Sequence, residues 1–191
     1  MNTTNLQYLL DHGQWLNQLH GQVCSRDLLP QLKPSDVRAY IVNTDKSDQP
    51  GEHWIAIYFY NDKKAFYFDS YGIPPLHNDI TTFLERNSSI WTFNDQQIQS
   101  FFTTTCGLYC IFTLDALARG YDIQRYLQHH FYKTNYIKND DNINNWFRQQ
   151  YRVIYTSAQR KSETIQGQCC RPKQIHHAMN RHFPYLTLLK K

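Results

Sequence analysis

No stretch of about 18 or more uncharged apolar residues occurs in the 191 residues, so the sequence offers no candidate for a membrane-spanning helix. Its start, "MNTTNLQYLLDHG", also lacks the basic-then-apolar pattern of a secretory signal. These two absences predict a soluble, intracellular protein without a membrane partner. Cysteine is scarce and unpaired: Cys24, Cys106, Cys110, Cys169 and Cys170 are an odd number with no disulfide-framework spacing, which fits a reducing compartment where a thiol stays free. Zinc is disfavoured on ligand spacing, because Cys106 and Cys110 have no second matching pair and the adjacent Cys169 and Cys170 do not easily ligate one tetrahedral ion together. Internal repeats are absent as well. What is present is 41% hydrophobic and 15% aromatic residues, enough for one core. The expected organisation is a main domain over residues 1–156, a basic segment over 157–191 packed on it or extending it, and a monomer.

Secondary structure is legible in outline. "TNLQYLLDHGQWLNQL" carries Leu6, Leu9, Leu10, Trp15 and Leu19 at near-helical spacing behind Thr4 as a capping residue, with Gly13 a weak point that leaves one helix or two. "VRAYIVNT", "HWIAIYFY" and "KAFYFDSYG" read as strands, the last two forming a hairpin that is apolar on both faces and therefore central and covered. A short helix in "NDITTFLERN" and a strand in "SSIWTFN" follow. "CGLYCIFTLDALA" reads as a helix that ends at Gly120, and more helix is expected in "DIQRYLQHHF" and "DNINNWFRQQYRVIY". Residues 157–170 show little periodicity and read as a linker or loop, before a short helix around "KQIHHAMNRHF".

The chemistry concentrates around "TTTCGLYC". A helix that begins at Cys106 places the thiol at the positive end of the helix dipole, where the thiolate is favoured, and Gly107 leaves the approach to sulfur open. The competing interpretation of Cys106 is a small buried hydrophobe, which is how Cys110 is read one turn later. A nucleophile needs a base, and the base needs an orienting acceptor. His53 opens one hairpin strand and Asp69 closes the other, so antiparallel pairing lays them side by side, with one imidazole nitrogen bonded to Asp69 and the other facing the thiol. An oxyanion donor is available from Gln96, Gln97 or Gln99 beside the backbone N–H groups of the helix start.

In this order and context, "IVNTDKSDQPGEHWIAIYF", "FYFDSYG" and "IQSFFTTTCGLYC" resemble the adenovirus proteinase (adenain) family, including its relatives encoded by Maverick/Polinton DNA transposons, over roughly residues 35–120. The resemblance implies an α+β, papain-like cysteine protease core with a central mixed sheet and His-Asp-Cys chain order, the nucleophile starting a buried helix. By that resemblance His53, Asp69 and Cys106 form the triad and Gln99 lines the oxyanion hole. Trp54 is expected to line a narrow substrate groove. The implied activity is cleavage of viral precursor proteins at Gly-containing sites during virion maturation, in the virion and host nucleus, with no cofactor needed for the chemistry. The adenoviral enzyme is stimulated by DNA and activated by a viral peptide, and by resemblance activation by DNA or a viral peptide is expected here. The adenoviral peptide is joined through a cysteine on a strand before the nucleophile, and the matching stretch "SSIWTFNDQQIQS" has none, a departure from the pattern of that covalent switch. Two other readings share these residues: a SUMO-type deconjugating protease, and a nucleic-acid-binding module with a non-functional triad.

Charge is unevenly distributed. Residues 144–191 hold nine Lys and Arg against the single acid Glu163, a balance of +8, whereas the rest of the chain is −4. A basic segment of this kind predicts sequence-indifferent contact with DNA phosphates, and Arg171, Lys173 and Arg181 are the residues expected to carry it.

Overall fold

The computed structural model describes residues 1–31 and 33–162. Its centre is a five-stranded sheet of β1 (Gln22–Ser25), β2 (Ala39–Asn43), β3 (Trp54–Phe59), β4 (Lys64–Phe68) and β5 (Ile90–Phe93), in that spatial order. The three middle strands pair antiparallel, and each edge strand runs parallel to its neighbour, so the sheet is mixed. Helices α1 (Thr3–His12), α2 (Asn78–Asn87), α3 (Cys106–Ala118), α4 (Ile123–His130) and α5 (Tyr136–Ser162) surround it. Among the described residues no helix is long and apolar enough to cross a membrane.

The doubly apolar hairpin is explained by two cores. Side chains alternate across a strand, so Trp54, Ala56 and Tyr58 of β3 face one layer while Ile55, Ile57 and Phe59 face the other. The first layer joins Phe66 and Phe68 of β4 to α1, α3 and the start of α5. Tyr67 belongs to the second layer, where Ile80, Phe83 and Leu84 make one face of α2. Helix α3 is apolar almost all round because it lies inside the molecule: every residue from Cys106 to Leu117 is buried, and β3 is among the elements it packs against. Gly120 has a φ of +80° just past its end, the left-handed position glycine takes most readily.

Two local expectations are corrected and one open alternative is settled. The cap of α1 is Asn2, whose Oδ1 accepts the Asn5 N–H at 2.9 Å, and not Thr4; an amide oxygen one residue before the helix reaches that orphan donor, and a hydroxyl already inside the first turn does not. The first segment is two pieces, with α1 stopping at Gly13 before a short 3₁₀ turn at Asn17–Leu19. Residues 157–162 continue α5 and do not begin a loop. The rest of the basic segment, with Cys169, Cys170, Arg171, Lys173, Arg181 and the short helix expected around "KQIHHAMNRHF", lies outside the described residues.

Candidate active site

The hairpin register sets the first two groups. Ala56 pairs with Phe68, so the residue before β3 and the residue after β4 meet at the same end of the sheet. His53 and Asp69 occupy those positions, both buried, and His53 Nε2 lies 2.9 Å from Asp69 Oδ1. Asp69 only accepts when ionised, so Nε2 carries the proton and Nδ1 is left as the basic nitrogen. Nδ1 is buried and has no hydrogen-bond partner of the N–H···O kind; the group coupled to the ring besides Asp69 is the Cys106 side chain, through a hydrogen bond and charge. Burial pulls the His53 pKa down, but the Asp69 charge and hydrogen bond, followed by Cys106, outweigh it and push the value up to about 10. Tyr71 stacks on the imidazole with ring centres 4.6 Å apart, and its own N–H donates to Asp69 Oδ1 at 2.8 Å.

Asp69 is fixed from a direction the sequence did not signal. Asn94, just past β5, accepts the Asp69 N–H on Oδ1 at 2.9 Å and donates from Nδ2 to the Asp69 carbonyl at 2.6 Å. One side chain thus pairs both main-chain groups of Asp69, as a neighbouring strand would.

Cys106 opens α3, preceded by Thr105, whose carbonyl accepts the N–H groups of Leu108 and Tyr109. The thiol therefore sits at the positive end of a helix dipole. Gln99 is fully buried on the loop leading there: its Oε1 accepts the Ser70 hydroxyl at 2.6 Å, and its Nε2 donates to the Thr103 carbonyl at 3.1 Å. Its neighbour Gln97 spends its side chain on the Gln99 carbonyl at 2.8 Å. Of the three glutamines, Gln99 is the one held in place at both ends of its amide.

Two expectations about this surface fail. Gly107 is buried, and a Cβ there would come 3.3 Å from Leu6 Cδ2 and 3.5 Å from Met1 Cβ, so the small residue makes room for the N-terminal segment and does not open an approach to sulfur. Trp54 does not line an open groove; it is 3% exposed, and its indole N–H donates to the Met1 carbonyl at 3.3 Å. Cys110 is what it was expected to be, a buried thiol, here 3.4 Å from the Trp54 carbonyl. Cys24 is a contrast, its thiol pushed up to about 12 by burial and by Asp27, which disfavours the thiolate.

No family model and no curated protein sequence matches the chain. Solved structures do. One crystal structure of the ASFV pS273R protease is 14% identical with a TM-score of 0.50, over 75% of this chain and 65% of that one. The chain shares the mixed α+β fold of that structure. A selenomethionine form of the same protein gives 20% identity and a TM-score of 0.42, over 60% of this chain and 44% of its own. The chain thus spans less than two thirds of the length of either. Among the described residues, no group of three or more His, Cys, Asp and Glu is placed to hold a metal ion.

Proposed function

We propose that the chain is a virus- or transposon-encoded cysteine endopeptidase that cleaves viral precursor proteins at Gly-containing sites during virion maturation. The observation that carries this is the placement of one buried imidazole between Asp69, 2.9 Å from Nε2, and the Cys106 thiol at the start of α3. Asp69 holds the Nε2–H tautomer, so Nδ1 takes the thiol proton and the resulting imidazolium stabilises the thiolate. The thiolate attacks the scissile carbonyl carbon. The oxyanion then forms beside the helix N-terminus, where the Cys106 backbone N–H and a Gln99 amide hydrogen are the donors. Collapse of the adduct expels the amine as His53 Nδ1–H protonates it, and water, deprotonated by the same nitrogen, hydrolyses the thioester.

The DNA contact through Arg171, Lys173 and Arg181, the monomeric state, and action in the virion and host nucleus belong to the same proposal. The test uses a fluorogenic peptide ending in Gly-Gly beside a capsid precursor. Cys106→Ala and His53→Ala are expected to abolish cleavage of both while the fold persists, and Gln99→Ala to lower kcat by about 10²–10³ with KM little changed. Full activity in Cys106→Ala would end the proposal. Cleavage of SUMO-linked fluorophores with the precursor left intact would move the substrate to a ubiquitin-like modifier.

A further inference from the structure

The chain from Ile98 to Thr105 has to bring Gln99 and Cys106 together without regular structure of its own. It is held from outside by two neighbouring side chains of α5, Asn139 and Asp140, both buried. Asn139 Nδ2 donates to the Ile98 carbonyl at 2.9 Å. Asp140 does more. Its Oδ2 accepts the Ser100 N–H at 3.2 Å and the Thr103 hydroxyl at 3.0 Å, and its Oδ1 accepts the Thr105 hydroxyl at 2.8 Å and the Tyr109 hydroxyl at 3.0 Å. Four donors face the roughly four acceptor sites of an ionised carboxylate, the Tyr109 and Thr103 hydroxyls lying slightly closer to it than to the Ile98 and Ser100 carbonyls at 3.2 and 3.1 Å. Burial raises the Asp140 pKa, and the bonds from Thr105, Tyr109, Thr103 and Ser100 oppose that rise. Among the described residues no cation pairs with this carboxylate, and there these hydrogen bonds answer its charge.

The identity of the donors gives the arrangement its meaning. Thr105 immediately precedes Cys106, and Tyr109 lies one turn after it. Ser100 follows Gln99, and Thr103 offers the carbonyl to which the Gln99 amide donates. We propose that Asp140 is a positioning residue, whose carboxylate sets the candidate nucleophile Cys106 and the candidate oxyanion donor Gln99 in one mutual geometry through these four hydrogen bonds. The catalytic meaning of that geometry rests on the protease function proposed above; the clamp itself does not.

Asp140→Asn keeps the shape and one acceptor oxygen but turns an NH₂ group toward donors such as the Ser100 N–H, which then has no acceptor. On the Gly-Gly peptide, kcat is expected to fall by about 10²-fold, the usual cost of a misplacement on the ångström scale, with KM nearly unchanged. Backbone amides of residues 100–106 should exchange with solvent faster, while those of β3 keep their protection. Thr103→Val and Thr105→Val should each reproduce part of the kcat loss, and each combined with Asp140→Asn should lose less than the two effects multiplied together; these two variants carry the test if Asp140→Asn does not fold. Asn144→Ala is the structural comparison. It removes only a 2.7 Å bond to the Asp140 main-chain carbonyl, and should lower thermal stability without lowering kcat. Equal kcat losses in Asn144→Ala and Asp140→Asn, or unchanged kcat and unchanged exchange in Asp140→Asn, would overturn the proposal. A wild-type protein that cleaves no substrate while Asp140→Asn still loosens residues 100–106 would sink the protease reading and leave the clamp standing.

Discussion

The imidazole of His53 keeps its proton against burial because Asp69 lies 2.9 Å from Nε2 and Cys106 is coupled to the ring. Its folded pKa is raised, from 6.5 to about 10, so the stabilisation it contributes is complete below about 6.5 and is lost as pH rises through about 10. The thiolate–imidazolium pair should therefore persist through neutral pH, and kcat/KM should decline on the alkaline limb as the ring deprotonates. Asp69→Asn removes the leading upward cause and leaves burial, which acts downward, so that limb should move toward lower pH. Peptide cleavage followed across pH checks this, and identical alkaline limbs in the two proteins would contradict the assigned ion pair. At this scale His53, Asp69 and Cys106 were legible as candidates, because a nucleophile, a base and an orienter are restricted residue types at recognisable element ends, whereas Gln99 was separated from Gln96 and Gln97 only by the family resemblance. Asn94 and Asp140 were invisible. The first bonds only main-chain groups and the second bonds donors 31 to 40 residues away, and neither relation leaves a periodicity or a spacing to read.

The elements that carry the site meet at one tight turn. Past β4 the chain turns at Gly72, with a φ of +68° and its N–H donating to the Asp69 carbonyl at 2.8 Å. A Cβ there would fall 2.6 Å from the Gln96 carbonyl carbon and 2.7 Å from the Gln97 nitrogen, both main-chain atoms that do not swing aside. Gly72→Ala should cost about 1–3 kcal/mol of stability from backbone strain alone. It should also lower kcat, since the displaced segment leads directly to Gln99. Urea unfolding beside peptide turnover tests both, and wild-type values in both would show that the turn relaxes freely. The hairpin, α2, β5 and α3 were legible because apolar residues recur at a strand or helix period between turn-formers. β1 was not: "QVCS" is a four-residue edge strand, partly exposed, whose pairing with β2 depends on main-chain bonds and not on an apolar pattern. The last turns of α5 escaped for the same reason, since "TSAQRKS" carries no apolar stripe.

For the molecule as a whole, the fold and the charge pull toward different partners. The four candidate catalytic side chains are all buried within the domain, whereas the surplus positive charge is concentrated toward the last quarter of the sequence. Residues 144–191 carry +8 against −4 for the rest, and of the nine basic residues in that stretch only Arg148, Arg152, Arg160 and Lys161 belong to α5. A polyanion held by such a segment would raise the local concentration of a protease around precursors packed with nucleic acid, without entering the catalytic chemistry. Binding of that origin is driven by counterion release, so the logarithm of affinity should fall linearly with the logarithm of salt concentration, by a slope that counts phosphates neutralised. Changing Arg171, Lys173 or Arg181 to Ala should each reduce the slope by about one, equally on unrelated DNA sequences. Added DNA should also accelerate precursor cleavage, and should do so less in a triple variant whose turnover of the short Gly-Gly peptide without DNA is unchanged. Fluorescence anisotropy over a salt series, paired with cleavage assays, decides the matter: affinity that ignores salt, or cleavage indifferent to DNA, would leave the basic segment as a solvated surface and the proposed protease to find its substrates by diffusion alone.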